Sequence, residues 1–197
     1  MHTRSLVEHV DLYPTFAELA GVPVTAEAHE SIEGSSYAQL FAPNANPSTT
    51  VWTNSHNGSF TQYPRCGETI GSGGTPDFHS AKRCTSVHKA NFVYMGYSMR
   101  TTRWRYTEWA VWGGEDLKPK WMESVTAANA LVELYDHESD KGNIGARIWD
   151  DFENENVASA NPLAVTDLSK MLRTFYDTVA ANRGLPYSND QSESAEV

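Results

Sequence analysis

The sequence predicts an α+β fold: a small antiparallel sheet with a C-terminal helix packed on one face. Three observations predict it. From Met95 to Trp109, aromatic, β-branched and arginine residues alternate without a proline, which reads as one long strand. Asn129 to Tyr135 reads as a second strand, pairing antiparallel with the first as a hairpin with a wide loop. Residues 162–182 place Leu163, Val165, Leu168, Leu172, Phe175, Tyr176 and Val179 in an apolar stripe at helical spacing, with Gly184 and Pro186 as stop signals.

The remaining elements follow in chain order. Leu6, Val10, Tyr13, Phe16 and Leu19 recur at helical spacing over residues 5–20, and Ser5 with Glu8 has the form of a capping box. Pro14 leaves two options: a kinked helix, or a helix that starts at Asp11 as N-cap and holds Pro14 in its first turn. Gly21 and Pro23 end it. Residues 22–49 read as an irregular connection with a short helical piece over Tyr37 to Phe41. Thr49 to Thr53 reads as a short buried strand, Asn57-Gly58-Ser59 as a turn and a glycosylation sequon, and Phe60 to Arg65 as the approach to a long loop over 66–90. The long strand ends at Gly113-Gly114, and a loop over 115–127 carries Trp121. The tail 187–197 is polar and acidic, the composition of a disordered segment.

Within the long strand, Arg103, Arg105, Thr107 and Trp109 share one face, and Arg100, Thr102, Trp104, Tyr106 and Glu108 the other. Arginines interleaved with aromatics suit an anionic or sugar-like partner, because a guanidinium presents fixed donors and an aromatic face stacks on a ring. The plainer reading is a half-buried strand whose arginines pair with the chain's many carboxylates.

Composition narrows the function classes. The chain has 197 residues, and its formal net charge of −10 argues against a nucleic-acid partner, which needs a basic face. No apolar run approaches the ~20 residues of a membrane span. Residues 1–8 lack the apolar centre of a signal peptide, so nothing in the sequence directs export. Cys66 and Cys84 are the two cysteines, in a loop rich in Gly, Ser and Thr. A disulfide between them would close a loop of about 18 residues and contribute roughly 3 kcal/mol in an oxidising compartment. With His79 and His88 they could be drawn as a zinc site, but the spacing matches no common zinc pattern, leaving a local disulfide or free thiols. No Gly-x-Ser-x-Gly elbow supports acyl transfer.

Four segments occur in order: Val10-Asp11-Leu12-Tyr13-Pro14-Thr15-Phe16-Ala17-Glu18-Leu19-Ala20-Gly21; Thr61-Gln62-Tyr63-Pro64-Arg65; Met95-Gly96-Tyr97-Ser98-Met99-Arg100-Thr101 with Arg103-Trp104-Arg105-Tyr106-Thr107-Glu108-Trp109; and Glu133-Leu134-Tyr135-Asp136-His137. Together they resemble the C-terminal portion of the sulfatase family, most like its iduronate-2-sulfatase type, over about residues 5–140. The resemblance implies the C-terminal subdomain of an alkaline-phosphatase-like α/β fold, with a four-stranded antiparallel sheet and a helix. It divides the chain into the last helix of a missing N-terminal catalytic subdomain (1–23), a linker (24–49), the C-terminal sulfatase subdomain (50–186) and the tail (187–197).

What the family uses for chemistry is absent from this chain. The resemblance implies a formylglycine made from cysteine in a Cys-x-Pro-Ser-Arg or Cys-x-Ala-x-Arg context, with calcium holding the sulfate oxygens. Here the cysteines read Cys66-Gly67-Glu68-Thr69-Ile70 and Cys84-Thr85-Ser86-Val87-His88. The paired aspartates for calcium are also missing, and an isolated Asp136-His137 cannot supply the six or more oxygens calcium prefers; a turn at a strand end suits it better. The expectation is therefore a fragment of a sulfuric ester hydrolase acting on sulfated saccharides, inactive alone, with no cofactor of its own and calcium only in the intact enzyme. Its partner would be the N-terminal catalytic subdomain, and its compartment lysosomal, periplasmic or secreted. Gln62, Tyr63 and Arg65, on a loop after a short strand, are expected to face substrate. Asp11, Pro14, Arg100, Arg105 and Tyr135 are expected to be structural, the two arginines pairing with acids across the subdomain interface. The alternatives are a stand-alone carbohydrate- or protein-binding module stacking sugars on exposed Trp104, Trp109, Trp112 and Trp121, or a degenerate pseudoenzyme paired with a catalytic chain.

Overall fold

A computed structural model of the protein describes residues 4–25, 32–46, 49–54, 56–66, 84, 87–122, 131–140 and 151–183. The loop between the cysteines, His79, the stop residues Gly184 and Pro186 and the tail 187–197 lie outside the described residues.

The predicted class holds: among the described residues, a five-stranded antiparallel sheet carries a long helix on one face. The strands are β1 (Ser59–Arg65), β2 (Tyr94–Arg100), β3 (Trp104–Gly113), β4 (Lys118–Lys120) and β5 (Val132–Asp136). The order is β1-β2-β3, and the far edge of β3 is shared end to end by β5 along residues 104–108 and β4 along 111–113. The sheet thus has one strand more than the four that the family resemblance implied, the extra being the short β4 in the expected 115–127 loop.

Two strand readings are corrected. Met95 to Trp109 is not one strand but a hairpin, with Arg100 paired to Arg105. Each arm alternates by itself, which is why sequence periodicity missed the turn, but the phase flips there: Arg100 shares a face with Arg105, Thr107 and Trp109 rather than with Trp104, Tyr106 and Glu108. The turn closes through Thr101, whose hydroxyl accepts from Trp104 N at 2.9 Å while its own N–H donates to Trp104 O at 2.8 Å. Thr49 to Thr53 forms no strand: Trp52 N donates to Ser5 Oγ at 2.8 Å, so its backbone is satisfied by a side chain rather than a ladder.

The helix α2 (Pro162–Arg183) lies across β2 and β3. Met95, Tyr97 and Met99 of β2, Tyr106 and Ala110 of β3, and Val132 and Leu134 of β5 meet Val165, Leu168 and Leu172 to form the core. Phe60 stacks on Phe175 with ring centroids 3.7 Å apart, fastening the edge strand to the helix. Leu163 departs from the expected stripe and is 81% exposed, one residue into the helix and beyond the sheet.

At the N-terminal end, a 3-10 turn (His9–Asp11) leads into α1 (Leu12–Leu19). Pro14 sits buried in the first turn, where its missing N–H costs no hydrogen bond. Ser5 is not the cap. Glu8 N donates to Asp11 Oδ2 at 2.8 Å instead, so the box spans Glu8 and Asp11. The short helical piece before Pro43 forms over Ala38–Phe41.

Candidate functional site

The side of the sheet turned away from α2 carries Tyr63, Arg65, Arg100, Arg105 and Tyr135. Strand register builds it in rows. Arg100 of β2, Arg105 of β3 and Tyr135 of β5 form one; Thr61, Ser98, Thr107 and Glu133 the next; Tyr63, Gly96 and Trp109 a third. Arg65 follows Tyr63 on the same face of β1, its guanidinium 5.4 Å from the Tyr63 ring centroid and 5.3 Å from that of Trp109. Gly96 makes this assembly possible. A Cβ there would lie 2.6 Å from a Trp109 ring carbon, so only glycine lets the indole lie against the strand. Trp109 Nε1 donates to Glu133 at 3.3 Å and the Tyr135 hydroxyl to the other Glu133 oxygen at 3.0 Å. Burial, with that hydrogen bond, pushes the Tyr135 phenol up to about 12, so it stays a donor across the physiological range.

Of the expected substrate-facing trio, Tyr63 and Arg65 belong to this face and Gln62 does not. All three lie within β1 rather than on a loop, and alternation turns Gln62 to the α2 side, opposite Tyr97. Tyr63 is 62% exposed. The arginines follow the plainer reading. Arg105 pairs with Glu153, and Arg103 with Asp136 at 2.7 Å and Glu138 at 3.2 Å, all within this chain rather than across an interface. Arg100 donates to the Thr101 carbonyl. Three of the four tryptophans offered as sugar platforms are packed: Trp121 against Tyr97 and under Arg173, Trp112 beside Phe92 with Nε1 bonded to Lys89 O, and Trp104 against the core beneath Arg103. Trp109 alone belongs to the open face.

A second constellation joins the start of α1 to the 34–37 segment and, through Glu8, to the edge strand. The Asp11 carboxylate, 1% exposed, accepts from Glu8 N and Ser35 N at 2.8 Å each. Thr15, equally buried, donates to Asp11 O at 2.7 Å and accepts from Tyr37 N at 3.1 Å. Gly34 passes so near that a Cβ would stand 2.0 Å from the Val10 carbonyl oxygen. Glu8 then reaches the edge strand, accepting from Phe60 N at 2.7 Å and Asn54 Nδ2 at 3.1 Å. The segment Glu8–Thr15 is therefore tied to Ser35, Tyr37, Asn54 and Phe60 by part-buried polar bonds. The other side of α1 is bare: Tyr13 and Phe16 are each 62% exposed and Leu19 52%, with Val10 and Val22 alongside.

Glu8 gives this junction a pH dependence. Burial, reinforced by Asp11 and Glu33, pushes its carboxyl above the usual range, against the lowering effect of the Phe60 and Asn54 hydrogen bonds. A raised folded value means that Glu8 contributes stability fully present below the ordinary 4.5 and lost as pH rises through the folded value. Denaturant unfolding at a series of pH values should show wild type losing stability relative to Glu8→Gln as pH climbs through that window. A difference independent of pH would disprove the assignment.

The Asp136-His137 step is the expected turn. Asp136 Oδ1 accepts from Glu138 N at 2.9 Å, and the Arg103 hydrogen bond holds its carboxyl below the usual range. The buried His137 ring lies 3.1 Å from both Asp140 and Glu153 and stacks on Phe152. With the Asp136 oxygens committed to Arg103 and Glu138, this pair does not fit a calcium ligand set, and no group of three or more His, Cys, Asp or Glu among the described residues is placed to hold a metal. Cys66 and Cys84 are joined as a disulfide, with Cα atoms 5.5 Å apart.

Sequence reading missed the buried polar cluster under α2. Glu108, 2% exposed, accepts from Tyr106 at 3.0 Å, Ser169 at 2.8 Å and Arg173 Nε at 3.2 Å. The signal was present: an acid on the apolar side of a strand, and Ser169 and Arg173 four apart on the core-facing stripe of α2.

Comparison with family profiles and with curated proteins finds no match. Among solved structures the chain is similar to a 2-O GAG sulfatase, at 19% identity and TM-score 0.42, over 88% of this chain and 25% of that one. It is likewise similar to a protein assigned as a sulfatase from Bacteroides thetaiotaomicron VPI-5482, at 20% identity and TM-score 0.42, over 88% of this chain and 24% of that one. The chain spans about a quarter of the length of each. No helix among the described residues is long and apolar enough to cross a membrane.

Proposed function

We propose that this chain is the C-terminal subdomain of an iduronate-2-sulfatase-like sulfuric ester hydrolase acting on sulfated saccharides, and that it has no turnover alone. The observation that carries this reading is the two-sided character of α1. The sulfatase-like residues Asp11, Pro14 and Thr15 are buried, Asp11 and Thr15 bonded to Ser35 and Tyr37 of this chain's own connecting segment, while Tyr13, Phe16 and Leu19 of the same motif are more than half exposed. A helix with that division of labour joins two bodies, and the second would be the N-terminal catalytic subdomain. That subdomain would supply the formylglycine nucleophile and the calcium ligands. This chain would supply shape and contacts: Tyr63 and Arg65, with Trp109 behind them, stack on or hydrogen-bond to the saccharide, while Arg100, Arg105 and Tyr135 hold the face in register. The Cys66–Cys84 bond suits a lysosomal, periplasmic or secreted setting.

The test is a fluorogenic sulfate ester assay on the purified chain with calcium, where no hydrolysis is expected. Hydrolysis that survives replacement of both Cys66 and Cys84 would overturn the proposal. Glycan-array binding by the isolated chain, lost on Trp109→Ala, would favour the stand-alone carbohydrate-binding module instead.

A further inference from the structure

We propose that Asn57 is an acceptor for an N-linked oligosaccharide. Asn57-Gly58-Ser59 satisfies the acceptor rule, whereas Asn46-Pro47-Ser48 is blocked by its proline. The structure adds three observations. Asn57 is exposed, and its side chain makes no hydrogen bond to any described residue. Its backbone holds a left-handed conformation, φ 52°, at the tip of the turn before β1, a conformation asparagine tolerates. The turn is fixed from within by Asn54, which accepts from His56 N at 3.2 Å and Gly58 N at 3.3 Å, and donates to Gly58 O at 2.6 Å. The rigid turn therefore needs nothing from the Asn57 carboxamide, and a bulky polar group there costs no native contact. The Cys66–Cys84 disulfide independently suits the oxidising compartment in which such transfer occurs.

The donor would be an oligosaccharide linked to a lipid pyrophosphate. The Asn57 amide nitrogen forms a bond to the first sugar's anomeric carbon, the carbon–oxygen bond to pyrophosphate breaks, the lipid pyrophosphate leaves with that electron pair, and one amide proton is lost. The glycan would stand at the entrance to β1, the outer strand of the sheet among the described residues.

The chain should be translated with a secretory leader into eukaryotic microsomes and the protease-protected fraction examined. The expected result is a single glycoform that peptide N-glycosidase collapses, leaving aspartate at position 57. Asn57→Gln and Ser59→Ala should abolish it, and Ser59→Thr should retain it. The glycosylated chain should also unfold at the same urea midpoint as the enzymatically deglycosylated one. A protected chain with bare Asn57, or a glycan that lowers the urea midpoint, would overturn the proposal.

Discussion

Glu108→Ala is expected to destabilise the chain by about 3–5 kcal/mol, because it breaks a buried ion pair from one side only. Glu108 anchors three donors from two elements: Tyr106 on its own strand, and Ser169 and Arg173 on α2. Removing the carboxylate strands all three. Tyr106 has no solvent exposure, so its hydroxyl cannot recover a partner from water. Arg173 keeps its bond to Met122 O at 2.8 Å and its position over the Trp121 ring, which holds the guanidinium in place beside a hole without its counter-charge. Glu108→Gln should fall between, since one oxygen still accepts while an amide group faces donors. Replacing the pair together, as Glu108→Leu with Arg173→Leu, should cost less than either single change, because an apolar pair of similar volume removes both desolvation penalties at once. Urea unfolding checks this through the shift in midpoint at constant slope. A loss below about 1 kcal/mol for Glu108→Ala would mean that the cluster does not fasten α2 to the sheet.

That cluster shows where sequence reading stops. The helix α2 was legible because Val165, Leu168 and Leu172 repeat at the helical period and only one face of the sheet could receive them. The β2–β3 hairpin was not, because its reversal lacks the usual turn residues. Thr102 and Arg103 bridge it without a positive φ, and the Thr101 hydroxyl does what Asn-Gly commonly does. Treating the hairpin as one strand leaves face assignments within β3 intact but puts Arg100 on the opposite face, because the pairing of Arg100 with Arg105 flips parity across the turn and makes the two arginines cross-strand neighbours on one face. The Tyr63–Arg65–Trp109 assembly was half legible: aromatics and arginines were singled out, but their meeting depends on a register that puts Tyr63 and Trp109 on either side of Gly96. That Gln62 lies opposite Tyr97, on the other face from Tyr63 and Arg65, is hidden when β1 is read as a loop, where alternation does not apply. The polar junction at α1 was beyond sequence reasoning, since nothing local says that Asp11 bonds Ser35 or that Glu8 caps the edge strand at Phe60.

Charging the outer side of α1 should separate folding from association. Tyr13, Phe16 and Leu19 are each more than half exposed, while Asp11, Pro14 and Thr15 behind them carry the contacts to the rest of the chain. Phe16→Glu with Leu19→Lys should therefore leave the urea midpoint of the isolated chain within about 0.5 kcal/mol of wild type, the usual range for surface changes. Its effect should appear in self-association. A large side chain such as Phe or Leu yields about 1.5–3 kcal/mol when fully buried, and two of them held mostly in water make the bare side adhesive toward any apolar surface, including a second copy. Sedimentation at rising concentration should show wild-type chain associating and the doubly charged variant staying monomeric. On the reading proposed above, the same pair of charges in a longer sulfatase chain would be forced against a catalytic subdomain, and sulfatase activity would fall steeply there while the present chain remains folded. Two outcomes would sink this account: a variant that unfolds, which would make the side part of this chain's own core, or wild-type chain that stays monodisperse at high concentration, which would leave the exposed residues with no neighbour to meet.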